Sequence, residues 1–301
     1  MTQWIDSHVH LFTAETPGNP PTLINGGIND VSRYMDGFRD APPAGVVVVD
    51  FSQAKQSDHV IAALGELNRK GVPARGIIRA NIEDSRTFDW IKRPDIAGIR
   101  FYALNNTPNL HDDKRKWDRL FRLLRAYKKH ICIFGAPEYV RQLALQLPND
   151  LPLLIDHLGA FAMAEKGVDN FHYAQLLSTL SARSKAGQAI YFKGPGYRTS
   201  FEHQKTLPFI FKIIELFGES QLLLGASDAP FAGKILDKSG KYKGLHHQQI
   251  IGYESILGYL NKLIELSASK SNKSFEMLQM QLLYSNAQKL YQFKEAATRA
   301  A

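Results

Sequence analysis

Short apolar runs recur along the chain, and each is followed by a longer segment whose apolar residues repeat at helical spacing. Several of these runs are nearly continuous rather than alternating, which is typical of parallel strands that are covered on both faces. We expect eight strands, at Trp4–Val9, Gly45–Phe51, Arg75–Ala80, Ile96–Tyr102, His130–Phe134, Leu153–His157, Ala189–Lys193 and Gln221–Gly225.

The segments between these runs predict helices, because their apolar residues lie on one face and glycines often follow their ends. Eight alternating β/α units favour the α/β class and a single (β/α)8 TIM barrel domain over residues 1–301, although an open doubly wound sheet would show the same alternation. We expect helices at Ser57–Lys70, Lys116–Lys128 and Pro208–Phe217, with extra C-terminal helices over Ile250–Tyr291 closing the outer ring.

Histidines stand at the end of the first predicted strand. His8 and His10 are two residues apart, so on a strand both side chains point to the same side, which is the interior of a barrel. Two inward imidazoles suit a shared metal ion, an oxyanion or a proton relay. Taken alone, the pair also fits two buried histidines with no chemical role.

Two more residues at strand ends change this interpretation. His157 ends strand 6 and Asp228 follows strand 8, and the carboxyl ends of barrel strands converge on one mouth. Three imidazoles and a carboxylate there would form a ligand set for a zinc-type ion, or a general-base set that works without metal. The plainer alternatives are a helix N-cap for Asp228 and a core histidine for His157.

Cationic residues end other strands. Arg100 and Arg198 stand at the ends of strands 4 and 7, with Lys193 nearby. A guanidinium offers a planar pair of donors that matches a carboxylate, and burying it without an anion is costly. The arginines therefore predict an acidic substrate, or else an ion pair with Asp50 or Asp156.

The chain carries 37 Lys and Arg against 29 Asp and Glu, a formal net charge of +8, which fits nucleic acid, an acidic membrane surface or an anionic small molecule. No RNA-binding or helix-turn-helix motif is present, so nucleic acid is disfavoured. The sequence has no apolar stretch of the roughly 20 residues that span a membrane and no secretory signal, so we expect a cytoplasmic protein with no membrane partner.

Two smaller features complete the picture. The one cysteine, Cys132, lies in an apolar run, which predicts a buried, inert thiol and excludes an internal disulfide. The segment 234–243 holds four lysines and one aspartate; it is expected to be either a basic lid over the mouth or a solvated loop with no role.

Motifs spread over nearly the whole chain resemble the amidohydrolase superfamily, in particular the branch with 2-pyrone-4,6-dicarboxylate hydrolase and sugar-acid lactonases. Each motif is short, but all occur in the family's order, and all except the last lie at predicted strands or directly after them. They are Ile-Asp-Ser-His-Val-His-Leu-Phe at 5–12, Gly-Ile-Arg-Phe at 98–101, Ile-Asp-His-Leu-Gly at 155–159, Lys-Gly-Pro-Gly-Tyr-Arg at 193–198, Gly-Ala-Ser-Asp-Ala-Pro at 225–230 and Asn-Ala-Gln-Lys-Leu-Tyr at 286–291.

The resemblance implies a barrel hydrolase in which Asp228 deprotonates the attacking water. It implies that the three histidines, His8, His10 and His157, either bind metal or polarise the substrate carbonyl. It further implies substrate binding, with Arg100 and Arg198 holding substrate carboxylates and further contacts from Ser52, Tyr197 and Lys193.

Two departures from the family pattern narrow the expectation. A binuclear centre uses a bridging lysine or glutamate on strand 4 and a histidine on strand 5, but Arg100 and Phe134 stand there, so we do not expect one. The cofactor is then none, or a single divalent metal such as zinc on His8, His10, His157 and Asp228. At two positions where the dicarboxylate enzymes typically have arginines, this chain has Asn106 and Ala160, which indicates a different or less highly charged substrate.

These observations predict a hydrolase that opens a lactone or similar cyclic ester carrying a carboxylate. The alternative is a nonoxidative decarboxylase of an aromatic or related carboxylic acid that uses a divalent metal. In both cases the partner is an anionic small molecule, and the sequence does not predict an oligomeric state.

Overall fold

Eight parallel strands lie side by side in chain order in the computed structural model of the protein. The structure describes residues 3–13, 30–51, 54, 56–160, 166–196, 202–228, 235–236, 242–243 and 253–294. The strands are β1 Ile5–Val9, β2 Gly45–Val49, β3 Ala74–Arg79, β4 Ile96–Ala103, β5 His130–Gly135, β6 Leu153–Ile155, β7 Ile190–Lys193 and β8 Leu222–Leu223. All eight predicted strands and the (β/α)8 barrel are confirmed.

Helices alternate with these strands and cover the outside of the barrel. They are α1 Val31–Gly37, α2 Asp58–Arg69, α3 Arg86–Trp90, α4 Lys114–Ala126, α5 Pro137–Gln146, α6 Phe171–Lys185, α7 His203–Phe217, α8 Tyr253–Ala268, α9 Phe275–Met280 and α10 Asn286–Tyr291. Two short strands, β9 Ile235–Leu236 and β10 Tyr242–Lys243, pair antiparallel after β8. Within the described residues, every helix is too short or too polar to cross a membrane.

Burial explains the strand and helix patterns. The four successive valines of β2 are all fully buried, because one side of the strand faces the barrel interior and the other faces the helices. Helix α4 is rich in charge, yet it buries Trp117, Leu120, Phe121 and Leu124, whose spacing places them on one helical face. Continuous apolar runs and amphipathic segments therefore correspond to the two layers of the fold.

The helix prediction at Pro208 is wrong at its start. Helix α7 begins five residues earlier, at His203, and contains Pro208 in its interior. Thr206 is buried on the same face as Phe209 and Ile210, so packing extends the helix through a proline that removes a backbone donor. The C-terminal region is helical as predicted, but it is divided into α8, α9 and α10.

The floor of the barrel is apolar. Cys132 lies there among side chains such as Val47, Ile77 and Leu154, and Tyr291 and Phe293 of the C-terminal region pack against them. Cys132 is fully buried, as predicted, and burial raises the pKa of its thiol.

The seam between β8 and β1 positions the residues that follow β8. Ser7 N donates to Gly225 O at 2.6 Å and Asp228 N donates to His8 O at 2.9 Å. The carboxylate of Asp6 adds side-chain bonds across the seam, since it accepts from Ser227 N at 3.0 Å and Ser227 Oγ at 2.5 Å. These bonds hold the segment with Asp228 against the end of β1.

Candidate active site

His8 and His10 point together into the barrel mouth, as their spacing predicts. Their Nε2 atoms lie 3.0 Å apart, and His10 Nδ1 is 2.7 Å from the carbonyl oxygen of Val49. Because a carbonyl only accepts, His10 Nδ1 carries the hydrogen in that bond. His10 therefore turns its Nε2 toward His8.

His157 reaches the same place through an unusual turn after β6. His157 and Leu158 have φ values of 51° and 60°, in the left-handed region, and Gly159 follows with 66°. Each non-glycine residue in this region costs roughly 1–2 kcal/mol, and such strain is concentrated at functional sites. Tyr173 Oη donates to Leu158 O at 2.9 Å, which holds the turn and aims the imidazole into the mouth.

Asp228 contacts all three histidines. Its Oδ1 lies 3.6 Å from His8 Nε2, 3.7 Å from His10 Nε2 and 3.9 Å from His157 Nε2. Asp228 itself has a φ of 50°, and its backbone is fixed to β1 by the seam. The fold thus brings together the four residues that the sequence predicts to act together.

Gly196, after β7, packs directly on this cluster. A Cβ atom at this position would lie 2.2 Å from His157 Nδ1 and 2.5 Å from Asp228 Oδ2. Because real side chains do not approach so closely, only glycine fits here without displacing the two groups. The Gly-Pro-Gly segment is thus part of the wall of the site.

A layer of buried charges lies beside His8. Asp156 Oδ2 is 2.6 Å from Arg100 Nη2, and Asp156 Oδ1 is 3.0 Å from Lys193 Nζ. Lys193 Nζ is in turn 3.3 Å from His8 Nδ1. Burial alone would raise the pKa of Asp156, but Arg100 and Lys193 outweigh it and hold that pKa well below its usual range.

The histidines of the cluster are neutral imidazoles. Burial, and after it the Lys193 ammonium, lowers the pKa of His8 well below its usual value. Burial and then Arg100 lower that of His10 in the same way, and burial lowers the pKa of His157 to about 3. Each ring therefore offers one donor and one acceptor nitrogen at neutral pH.

A second acid, Asp50, orders the wall of the mouth. It accepts hydrogen bonds from Tyr102 Oη at 2.7 Å and Ser57 Oγ at 2.8 Å, and Arg79 lies 3.2 Å away. The Asp50 carbonyl also accepts from Arg100 Nη1 at 2.6 Å. Arg79 and Arg100 both lie over the Tyr102 ring, so the arginines and the aromatic wall are locked together.

The cluster could hold a divalent metal. Ligand atoms of His8, His10 and Asp228 all lie within 4.8 Å of one another, and nitrogen and carboxylate ligands of this kind suit zinc. The bond from His10 to Val49 O is the outer contact that orients a metal-bound imidazole. His157 borders the same carboxylate oxygen and would complete the predicted set.

The remaining predicted residues have different outcomes. Arg100 is paired with Asp156, which was the alternative interpretation, and Lys193 is paired with the same acid; their contact with a substrate stays a prediction. Ser52, Tyr197 and Arg198 lie outside the described residues, as does most of the 234–243 segment. The sequence named Asp156 as an alternative ion-pair partner of the arginines, but its contact with Lys193 was not predicted.

The fold matches solved structures over nearly its whole length. A candidate 2-pyrone-4,6-dicarboxylic acid hydrolase from Acinetobacter baumannii, solved with citric acid bound, is 18% identical at a TM-score of 0.71, with 97% of this chain and 100% of that chain covered. Another candidate of the same name, from Pseudomonas putida, is 21% identical at a TM-score of 0.70, with 98% of this chain and 100% of that chain covered. An amidohydrolase from Burkholderia multivorans, solved with zinc bound, is 13% identical at a TM-score of 0.70, with 97% of this chain and 100% of that chain covered.

Protein-family models and curated protein sequences give no match to the chain. The likeness to the solved structures therefore establishes the fold: this chain has the (β/α)8 barrel seen in amidohydrolase-type structures, as its motifs predict.

Proposed function

We propose that the protein is a hydrolase of the amidohydrolase type that opens a lactone or similar cyclic ester bearing a carboxylate. The observation that carries the proposal is the placement of Asp228, whose Oδ1 lies within 3.6–3.9 Å of three neutral imidazoles at the barrel mouth. The names of the solved structures with the same fold support this class of reaction.

Asp228 acts as the general base. Its carboxylate takes a proton from water, the resulting hydroxide attacks the ring carbonyl, and the ring C–O bond then breaks. The proton on Asp228 passes to the leaving oxygen, which restores the carboxylate. A hydrolysis of this kind consumes one water and yields a hydroxy acid or its keto form.

The imidazole of His157 stabilises the charge that develops on the carbonyl oxygen. A neutral imidazole can donate a hydrogen bond from its N–H to an oxyanion while keeping its proton. Such a donor stabilises the oxyanion most strongly when it is held in position in a buried site. His157 is the best placed of the three, because His8 and His10 are hydrogen-bonded to each other and His10 also donates to the carbonyl oxygen of Val49. A divalent metal held by His8, His10 and Asp228 would supply Lewis-acid polarisation of the same oxygen.

The substrate is expected to be an anion. The buried layer of Arg100, Lys193 and Asp156 contains two cations and one anion, and Arg79 adds a guanidinium with 21% of its side chain exposed. We assign direct contact with a substrate carboxylate to Arg198 by its place in the strand 7 motif. The net charge of +8 supports an anionic ligand over a neutral one.

The test has two steps. Pyrone carboxylates, muconolactones and aldonolactones are screened with a pH indicator, with and without chelator, because ring opening to an acid releases a proton. Asp228→Asn is then expected to lower kcat/KM by about 10²–10⁴-fold with an unchanged unfolding midpoint. Asp95→Asn, which loses a bond to Arg93 outside the mouth, is the control and should keep normal activity; near-normal turnover by Asp228→Asn would refute the role.

The metal-compatible geometry supports a second candidate, a nonoxidative decarboxylase of an aromatic or related carboxylic acid. Such an enzyme would release carbon dioxide and incorporate no solvent oxygen into its product. Incubation in ¹⁸O-labelled water separates the two, since the hydrolase places one solvent oxygen in the new carboxylate. Stoichiometric zinc or manganese in active protein, together with carbon dioxide release, would favour the decarboxylase.

A further inference from the structure

Lys193 contacts the histidine cluster and the acid beside it. Its ammonium nitrogen lies 3.0 Å from Asp156 Oδ1 and 3.3 Å from His8 Nδ1, and its side chain is fully buried. The three residues come from β7, from the turn after β6 and from β1, so the barrel itself sets the distances.

The hydrogen-bond roles in this region follow from which groups can only donate or only accept. An ammonium has no acceptor, so the contact with Lys193 requires that His8 Nδ1 accept. The hydrogen of the neutral His8 ring is then on Nε2, and it points to His10 Nε2 at 3.0 Å. His10 Nδ1 donates to the Val49 carbonyl, which can only accept. The chain therefore runs in one direction, from Lys193 through both rings to Val49.

Metal binding needs a different form of His8. A neutral imidazole that coordinates through Nε2 carries its hydrogen on Nδ1 and needs an acceptor there. Asp156 Oδ1 lies 3.6 Å from His8 Nδ1, but Lys193 occupies that oxygen at 3.0 Å. With Lys193 in place, two donors would meet at His8 Nδ1, and a second cation would stand near the ion.

We propose that Lys193 is a positioning residue that fixes the hydrogen of His8 on Nε2 and thereby lowers the affinity of the His8, His10 and Asp228 cluster for divalent metal. The assignment rests on the geometry of the cluster and is independent of the substrate and of the reaction that the protein catalyses. When the ammonium of Lys193 is removed, Asp156 becomes free to accept a hydrogen bond from His8 Nδ1, the bond that a metal-bound His8 requires.

The experiment compares zinc affinity among full-length variants by competition with a chromophoric chelator. Lys193→Met removes the donor and the charge and is expected to tighten zinc binding by about 10-fold or more, the scale of outer-contact effects on metal affinity. Lys193→Arg keeps a cationic donor and should bind zinc as weakly as the wild type. The double variant Lys193→Met/His10→Gln should lose the gained affinity, which places the ion in this cluster.

Lys129→Met is the matched control. Lys129 is also a buried lysine, but its ammonium donates to the backbone carbonyls of Arg93 and Ile96. Removing it changes the net charge and a buried donor in the same way, and zinc affinity should not change. Equal zinc affinity in Lys193→Met and wild type would overturn the proposal.

A second readout requires no substitution. Long-range ¹H–¹⁵N NMR spectra of the metal-free wild type distinguish the two forms of each imidazole, and His8 should carry its hydrogen on Nε2. A hydrogen on His8 Nδ1 would overturn the proposal even if Lys193→Met did not fold. Neither measurement involves turnover, so failure of the proposed hydrolysis would leave the result for Lys193 intact.

Discussion

Adding a single methyl group at Gly196 should lower the catalytic rate while leaving the protein folded. The ideal Cβ of Gly196→Ala would lie 2.2 Å from His157 Nδ1, 2.4 Å from His157 Cε1 and 2.5 Å from Asp228 Oδ2. Unstrained contacts of carbon lie at about 3.5–4.0 Å, so the imidazole and the carboxylate would each have to move by roughly 1 Å. Both groups belong to the proposed machinery.

The two costs fall on different properties, the free energy of unfolding and the rate of the reaction. Overpacking a buried site costs about 1–3 kcal/mol of folding free energy, which a barrel of this size can tolerate. A displacement of about 1 Å in a reacting group can lower the rate by about 10²-fold. We therefore expect a folded variant whose kcat falls about 100-fold.

Two measurements on Gly196→Ala check this expectation: urea unfolding, and kcat with the lactone that the indicator screen identifies. Gly258→Ala is the control, because a Cβ at that position on α8 meets no atom within 4 Å, and it should keep full activity. Wild-type kcat in Gly196→Ala would show that His157 and Asp228 do not act at the positions described here.

Two further predictions concern the seam and the response to acid. Ser227→Ala and Tyr34→Phe each remove one hydrogen bond to Asp6 Oδ2 and should each lower the free energy of unfolding in urea by about 1–3 kcal/mol. Only Ser227→Ala should also lower kcat, because Ser227 directly precedes Asp228. An equal kcat in both variants would contradict this expectation. Burial lowers the pKa of His130 from 6.5 to about 3, so the folded state loses stability as pH falls below 6.5, by about 2 kcal/mol at pH 5. His130→Gln should lose that much less between pH 7.5 and pH 5 in urea unfolding, and parallel pH dependences of the two proteins would refute the assignment.

The order of the barrel could be read from the sequence because its strands are continuous apolar runs. The valines of β2 and the run at β5 have no polar alternation, so their place in a doubly covered sheet follows directly. The start of α7 could not be predicted, since Pro208 is a helix-start signal and only the packing of Thr206 shows that the helix begins earlier.

The candidate site was partly predictable for a similar reason. His8, His10, His157 and Asp228 follow strands, and parallel strands of a barrel all end at the same mouth. Sequence could not decide whether Arg100 binds a substrate or an acid of the protein, because that depends on the distance to Asp156 across the barrel. The close approach of Gly196 to His157 could not be predicted either. It depends on the left-handed backbone conformations of His157 and Leu158, which their residue types do not indicate.

The buried charge layer has an electrostatic consequence for recognition. Arg100 and Lys193 share one partner, Asp156, so this dry layer keeps a surplus of one positive charge beneath the cluster. Its field extends upward into the mouth, where little water intervenes to weaken it. This surplus offsets the negative charge of the Asp228 carboxylate in the mouth, so a negatively charged ligand can approach that carboxylate with less repulsion. Mobile salt ions, which weaken surface attraction, have little access to the buried charges.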